Sequence, residues 1–197
     1  MRRALALLLT LGGAGLLSYV GATYTRGFLA RERARAAWEE HQARRAVREA
    51  NGFVVARYAR PTVERAPVAR LLIPRIVLDE IVVEGVDDES LNAGPGHLPG
   101  SVLPGERGNS VISAHRDRHF SRLDAIAVGD TIETQIGQHK TTWQVVSKRV
   151  VSASARVLWE KDSPTLTLTT CWPVRFLGPA PDRLLVTAVP VPSTARS

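Results

Sequence analysis

Residues 165–173 read TLTLTTCWP. Leucine and threonine alternate until the chain reaches Cys171, and a proline two residues later ends the pattern. Because side chains point to opposite faces of a β-strand in turn, we expect Leu166 and Leu168 to fill an interior and Cys171 to share the other face with Thr167. Cys171 is the single cysteine of the chain. A partly exposed thiol near positive charge is a candidate nucleophile, whereas a thiol buried as a small apolar group is inert.

Similar short apolar runs, separated by Gly, Pro and Asp, continue through the chain from Ala69 onward. The predicted strands are Leu71–Leu78, Ile81–Val86, Asn109–His115, Thr131–Ile136, Thr142–Val151, Thr165–Thr170 and Leu184–Val189. A short helical turn is predicted within Phe120–Ile126, and turns are predicted at residues 94–97 and 104–108. Seven or eight strands with little helix between them indicate an all-β barrel or sandwich.

The N-terminal part of the chain has a different composition. Arg2 and Arg3 precede a run without charge from Ala4 to Thr25, and about 20 apolar residues suffice to cross a bilayer as a helix. We favour an uncleaved membrane anchor over a cleaved signal peptide with its site near Ala22, because the run exceeds a typical signal core. The arginines after the run argue, by the positive-inside rule alone, for the opposite orientation.

Residues 26–50 are rich in Ala, Arg and Glu and predict a helix that is polar nearly all round, which is typical of a stalk or a weakly docked arm. Asn51-Gly52 is a plausible helix stop, and Pro61 and Pro67 indicate an extended linker. The expected organisation is therefore an anchor over residues 1–25, a stalk and linker over 26–68, and a β-rich catalytic domain over 69–192.

The distribution of charge argues against a nucleic-acid-binding protein. The net charge is +7, but residues 1–70 carry 13 Lys and Arg against 5 Asp and Glu, whereas residues 71–197 carry 13 against 14. A domain that binds phosphates would carry its basic patch on the folded part. The basic excess instead lies beside the predicted membrane segment.

Two further residues are candidate partners for the thiol. His115 falls at the end of its predicted strand, in SAHRD, and Arg183 begins the last strand, in APDRLLV. A single cysteine with histidine and arginine elsewhere in the chain is a candidate covalent catalyst. The competing interpretations are a buried structural thiol, a loop histidine without a role, and a solvated arginine paired with Asp182.

Several short motifs, in order and spacing, resemble the sortase family. They are LIPRI at 72–76, GPGH at 94–97, PGERGN at 104–109, SAHRD at 113–117, FSRL at 120–123, GD at 129–130, LTTC at 168–171 and APDR at 180–183. The resemblance covers about residues 70–190 and is strongest to the single-domain sortases of class D and E type.

The resemblance implies a closed eight-stranded β-barrel, a membrane anchor with its N-terminus inside, and a catalytic domain on the extracytoplasmic side. It also implies a cysteine transpeptidase that cleaves a C-terminal sorting motif such as Leu-Pro-x-Thr-Gly in secreted proteins. The acyl group would pass to an amine acceptor, which could be peptidoglycan or a pilin lysine, or to water. On the family pattern, the catalytic residues fall on Cys171, His115 and Arg183.

Two other functions stay open at the level of sequence. An L,D-transpeptidase would need an arginine close after the cysteine, where this chain has Trp172-Pro173, and a silent sortase-like module would bind a surface protein without processing it. We expect no cofactor and no metal site, because no set of His, Cys and carboxylates lies at metal spacing. Some sortases bind calcium through acidic loops, and a solvated turn is the simpler interpretation of the acidic run 87–89. The remaining histidines (His41, His97, His119 and His139) are interpreted as structural or surface residues.

Overall fold

The computed structural model describes residues 2–50, 65–155, 157, 161–176 and 178–192. The helices are α1 (Arg2–Ala50) and α2 (Asp88–Ala93), and single 3₁₀ turns lie at Pro74–Ile76 and Leu123–Ala125. The strands are β1 (Pro67–Ile73), β2 (Leu78–Glu84), β3 (Gly96–His97), β4 (Asn109–Ser113), β5 (Thr131–Ile136), β6 (His139–Ser152), β7 (Thr165–Trp172) and β8 (Asp182–Pro190). The predicted helix stop at Asn51-Gly52 and the linker proline Pro61 lie outside the described residues.

The strands form a closed barrel in the order β1-β2-β3-β4-β7-β8-β6-β5, and β5 pairs with β1 to complete it. Most neighbours are antiparallel, but β2–β3 and β4–β7 are parallel. The closed eight-stranded barrel implied by the resemblance is confirmed. The parallel β4–β7 pair aligns the C-terminal ends of two strands, which places the loop after β4 beside the end of β7.

The first predicted strand, Leu71–Leu78, is wrong in its extent. β1 begins earlier, at Pro67, which we had assigned to the linker, and Pro74 starts a 3₁₀ turn that separates β1 from β2. Proline cannot donate to a strand ladder, and its fixed φ suits the first position of a helical turn. Val77 leaves this turn in the left-handed region, with φ 55° and ψ 43°.

Two short elements of the barrel were not predicted as such. The two-residue strand β3 lies in the GPGH segment, which we had interpreted as a turn. The acidic run that we had interpreted as a solvated turn begins α2, where the Asp87 side chain accepts hydrogen bonds from the backbone N–H groups of Glu89 and Ser90. This is N-capping by an aspartate, and the two following acidic residues lie in the first helical turn, where they are electrostatically favoured.

The interior of the barrel is filled as the alternation in β7 predicts. Leu166 and Leu168 are fully buried, and they pack in one cluster with Phe120 and Trp143. Trp143 donates its indole N–H to the Thr134 hydroxyl at 2.8 Å, which satisfies the only polar atom of the largest buried side chain. The interior therefore holds β7 rigidly up to its C-terminal end.

The helix α1 is docked on the barrel rather than standing off as a stalk. Its residues 6–26 are exposed, but Ala34 and Trp38 are buried against Ile81 and Val83 of β2. Two apolar side chains one helical turn apart are enough to form a buried contact on a helix whose other side chains are mostly polar. The prediction of a helix is confirmed, and of its two interpretations, a stalk or a weakly docked arm, these contacts fit the docked arm.

Candidate active site

Cys171 and Arg183 are direct cross-strand partners. β7 and β8 are antiparallel, and their register pairs Cys171 with Arg183 and Trp172 with Asp182. Residues directly opposite each other in an antiparallel pair project from the same face, with Cβ atoms about 4.5–5.5 Å apart. The pairing therefore places the Cβ atoms of Cys171 and Arg183 side by side at the end of the barrel, with both side chains on the same face.

The thiol is neither walled into the interior nor fully exposed. Cys171 is half-buried, whereas Thr170 before it is 2% exposed. Val174, three residues further on, is 7% exposed and packs against the core, so the chain turns inward again after the cysteine. The interpretation of Cys171 as a buried structural thiol does not fit this placement.

His115 is brought to the same end of the barrel by the parallel strand β4. The register pairs Ser113 with Thr169, the Ala114 N–H donates to the Thr169 carbonyl at 3.1 Å, and the Thr170 hydroxyl donates to the Ala114 carbonyl at 2.7 Å. These bonds fix the backbone next to His115 against both residues that precede Cys171. Continuing the register by two residues sets the backbone of His115 level with that of Cys171.

The environment of His115 favours a neutral imidazole. The side chain is half-buried, and this burial lowers its pKa below the ordinary value because water no longer solvates the charged form. The negative charge of Asp117 opposes this shift, whereas the positive charge of Arg118 adds to it. At neutral pH His115 is therefore mostly an uncharged ring that can accept a proton or pass one on.

Arg183 is half-buried and does not form the side-chain ion pair that its sequence neighbour suggests. Its guanidinium Nη1 donates to the backbone carbonyl of Asp182 at 3.2 Å. The remaining N–H groups of the guanidinium are available to a ligand, because arginine carries five donors. A charge held next to the thiol and partly shielded from water interacts more strongly with a developing anion than a fully solvated one.

Arg116, which directly follows His115, is a further residue of the site. One guanidinium nitrogen donates to the Pro173 carbonyl at 2.9 Å, and the other donates to the Gly178 carbonyl. The same group lies 5.7 Å from the centre of the Phe176 ring. Arg116 thus ties the loop between β7 and β8 to the loop that carries His115, and its position directly after that histidine was the available sequence signal.

The other histidines have partners or positions that separate them from the catalytic candidates, although the charge of His119 also acts on His115. His97 is 1% exposed and bonds to the Glu84 carboxylate at 2.8 Å, which fits its structural interpretation. His41 and His139 are exposed, and His119 lies 3.5 Å from Glu80 under α1. Within the described ranges, no group of three or more His, Cys, Asp or Glu side chains is arranged to hold a metal ion.

The assembled site can carry out covalent acyl chemistry. It presents a nucleophilic sulfur, a titratable imidazole and a permanent cation at one edge of a rigid barrel, which are the groups that thioester formation requires. The peptide bond between Trp172 and Pro173 is cis.

Comparison with known proteins gives a consistent result. A sequence model of the sortase domain matches residues 71–191. Sortase D of Bacillus subtilis (strain 168) is 32% identical over 118 residues, which is 59% of this chain and 60% of that protein. This chain therefore spans less than two thirds of that relative's length.

Solved structures of the same family share the fold. The Sortase D5 transpeptidase of Clostridium perfringens superposes with a TM-score of 0.64 at 22% identity, covering 85% of this chain and 99% of that one. Sortase C-1 of Actinomyces oris superposes with a TM-score of 0.58 at 31% identity, covering 64% and 75%. Since the match to the sortase model covers residues 71–191, more than half of the chain, this chain belongs to the sortase family.

Proposed function

We propose that this protein is a membrane-anchored cysteine transpeptidase that cleaves a sorting motif of the Leu-Pro-x-Thr-Gly type and transfers the acyl part to an amine. The single observation that carries the proposal is the cross-strand pairing of Cys171 with Arg183, with the backbone before His115 bonded to the two residues preceding the thiol. The family to which the chain belongs supports the same chemistry.

In the first half-reaction the Cys171 thiolate attacks the carbonyl carbon of the scissile peptide bond. The carbonyl oxygen becomes an anion, which Arg183 stabilises by donating hydrogen bonds from its guanidinium. Collapse of this intermediate forms a thioester and breaks the C–N bond. His115 takes the proton of the Cys171 thiol when the thiolate forms, and it passes this proton to the amine, which lets the amine leave.

In the second half-reaction an amine attacks the thioester carbon. His115 takes the proton that the attacking amine loses, the new amide forms, and the Cys171 thiolate is expelled. Water in place of the amine yields hydrolysis. The acceptor is an amine of peptidoglycan, of a pilin or of another surface protein, and the donor is a secreted protein that carries the motif near its C-terminus.

The chain is proposed to cross the cytoplasmic membrane once, with residues 1–25 as the anchor and the barrel outside. α1 contains a stretch that is long and apolar enough to span a membrane, and none of that stretch is buried against the rest of the protein. This placement delivers the thiol to the side of the membrane where secreted substrates emerge.

Two of the arginines that follow the apolar run are held by the barrel. Arg31 forms an ion pair with Glu80, and Arg35 donates to the Asp79 carbonyl at 2.9 Å. Two of the positive charges that the positive-inside rule would place in the cytoplasm are therefore bound to the barrel. They lie on whichever side of the membrane the barrel occupies.

The proposal is tested with the full chain in detergent or nanodiscs, incubated with a quenched fluorescent peptide library of the Leu-Pro-x-Thr-Gly type and with glycine peptides as acceptors. Mass spectrometry should show a thioacyl adduct on Cys171 and the exchanged product. C171A should abolish turnover, H115A should lower kcat/KM by about 10²–10⁴-fold, and R183A by about 10²–10³-fold.

Two variants serve as controls. H139A removes an exposed histidine from β6, and R75A removes an exposed arginine from the turn after β1, so both should keep full turnover. A wild-type chain that forms no adduct with any peptide of the library would defeat the proposal and indicate a module that binds without processing.

A further inference from the structure

A cavity of about 500 Å³ lies where α1 leaves the predicted membrane segment and meets the barrel. One wall is formed by α1 at Tyr24, Phe28 and Arg31, and the other by the chain around Val77 and residues 118–122. None of the three candidate catalytic residues lines it, so the cavity is separate from the site described above.

The cavity carries an excess of positive charge. Arg31, Arg118 and Arg122 line it together with one carboxylate, that of Glu80. Glu80 is already neutralised by Arg31, whose guanidinium lies 2.5 Å away. Among the described residues, neither Arg118 nor Arg122 forms a side-chain hydrogen bond or an ion pair, and the Arg118 guanidinium lies beside Gly27 and 5.8 Å from the centre of the Tyr24 ring.

A second observation points to a ligand in the same place. His119 also lines the cavity, and its side chain is only 8% exposed. Its Nδ1 faces Glu80 at 3.5 Å, but its Nε2 is buried and has no hydrogen-bond partner in the part of the chain that the structure describes. A buried polar atom without a partner costs free energy unless something occupies the space beside it. When Nε2 carries a proton, it is a donor to an anion.

The distance of the cavity from the predicted membrane segment indicates which class of anion binds there. Arg31 lies six residues beyond Thr25, the end of the charge-free run, and six residues of helix span about 9 Å. The headgroup layer on each side of the hydrocarbon core is about 5–8 Å thick. If residues 1–25 form the anchor, Tyr24 and Phe28 at the cavity mouth, within about 5 Å of Thr25 along the helix, are level with lipid headgroups, and Arg31 lies just beyond them.

Apolar side chains at the mouth fit the same surroundings. Val77 is 85% exposed and Phe28 is 60% exposed, and both line the cavity. A β-branched residue in the left-handed region, as Val77 is, is an unusual conformer that calls for an explanation. Insertion of the valine into the membrane interface explains why an apolar side chain is presented outward here.

We propose that this cavity binds the phosphate group of an anionic lipid headgroup from the bilayer that anchors the chain. Arg118 and Arg122 pair with the phosphate, the His119 ring turns so that its buried Nε2 donates to one of the phosphate oxygens, and Val77 and Phe28 contact the acyl region. The proposal rests on the membrane anchoring put forward above. It adds that the lipid contact fixes the orientation of the barrel relative to the bilayer.

The test compares the full chain in nanodiscs of phosphatidylcholine alone with the full chain in nanodiscs that also contain phosphatidylglycerol. Hydrogen exchange is read at Ser121 and Ala125, whose N–H groups bond to the carbonyls of Arg118 and Arg122 at 3.3 and 3.0 Å. Phosphatidylglycerol should slow exchange at these amides. In the variant R118Q/R122Q this dependence should be lost, because each arginine near an anionic surface accounts for about a fivefold change in binding.

The matched control is R26Q/R33Q, which removes two exposed arginines of α1 at a similar depth but outside the cavity, and it should keep the lipid dependence. Equal exchange in both lipids, or equal loss in both double variants, would overturn the proposal. A third arm adds inorganic phosphate to phosphatidylcholine nanodiscs. Protection equal to that with phosphatidylglycerol would assign the site to free phosphate and overturn the proposal that a lipid headgroup is the ligand.

Peptide turnover measured in the same nanodiscs keeps the two proposals apart. Turnover without lipid dependence defeats the headgroup site alone, and lipid dependence without turnover defeats the transpeptidase alone. A chain that fails to remain with the nanodiscs defeats the anchor and, with it, the headgroup site.

Discussion

Arg31 of α1 and Glu80 of β2 form an ion pair with a shortest distance of 2.5 Å between their side chains. The Glu80 side chain is only 9% exposed. His119 approaches the same carboxylate from the other side, at 3.5 Å. The helix that leaves the predicted membrane segment is thus joined to the barrel through one buried carboxylate. This contact, with the packing of Ala34 and Trp38, determines how the barrel sits on its anchor.

Replacing this carboxylate should loosen α1 from the barrel. In E80Q, Arg31 and His119 lose their negative partner in a nearly buried position, and we expect the free energy of unfolding to fall by about 1–3 kcal/mol. E40Q is the control, because Glu40 pairs with Arg44 on an exposed helix face and should change stability by less than about 0.5 kcal/mol. Thermal unfolding followed by circular dichroism, and hydrogen exchange of residues 30–40, measure the difference.

The same carboxylate should contribute to acid sensitivity. Burial alone would raise the Glu80 pKa, but the hydrogen bond and charge of His119 and the charge of Arg31 outweigh it, so the net pKa is lowered in the folded state. A lowered pKa means that the stabilisation is present above the unfolded-state pKa and is lost as the pH falls through the folded-state pKa. Unfolding midpoints measured from neutral to acidic pH should fall less steeply in E80Q than in the wild type, and parallel curves would contradict this assignment.

Much of the barrel follows from local patterns in the sequence. β5 was predicted with its bounds, and β7 and β8 to within two residues, because alternation and turn residues operate over a few positions. β3 was missed because two residues held by long-range partners carry no pattern of their own. Docking of α1 was one of the two interpretations of its sequence, but the contact of Trp38 with Ile81 could not be predicted, because no helical periodicity reveals it.

The candidate site likewise has residues that local sequence signals predict and contacts that they do not predict. Cys171 and His115 stand out by residue type and by their positions at strand ends, which are local signals. That Cys171 faces Arg183 depends on the β7–β8 register, and that Arg116 bonds to Pro173 and Gly178 depends on how a loop closes back over the barrel. Register and loop closure are set by the whole packed core, so neither can be derived from the adjoining residues alone.

The titration of His115 should respond in opposite directions to its two charged neighbours. Asp117 raises the His115 pKa and Arg118 lowers it, against a larger lowering by burial. D117N should therefore move the His115 pKa further down, and R118Q should move it up. NMR titration of the imidazole ¹³Cε1 signal, in a C171S background that removes the coupled thiol, checks both, and shifts in the same direction would rule out this electrostatic account.

Arg116 should act as a positioning residue for the loop after Cys171. R116A removes two charge-assisted hydrogen bonds to backbone carbonyls, so the loop that borders the thiol should move and kcat/KM should fall by about 10–100-fold, mainly through KM. R116K keeps the charge but cannot reach two carbonyls at once, and it should recover only part of the loss. The exposed Arg175 of the same loop provides the control, since R175A should leave both kinetic constants near wild type. Equal losses in R116A and R175A would show that the activity depends on the charge of the loop rather than on the two hydrogen bonds of Arg116.

Val77 offers a substitution whose effect should change sign between water and membrane. The residue is 85% exposed with φ 55°, a conformation that costs a β-branched side chain roughly 1–2 kcal/mol, and asparagine tolerates the same backbone better. V77N should therefore raise the free energy of unfolding by up to about 1 kcal/mol in detergent, measured by denaturant titration. In phosphatidylglycerol nanodiscs the same variant should weaken the protection of Ser121 and Ala125, because the apolar contact with the interface is lost. V128N is the control, since Val128 is 64% exposed at a different turn and should alter neither measurement by more than a few tenths of a kcal/mol. A destabilised V77N in detergent would mean that the valine is needed by the fold itself, and its exposure would then give no support to membrane contact.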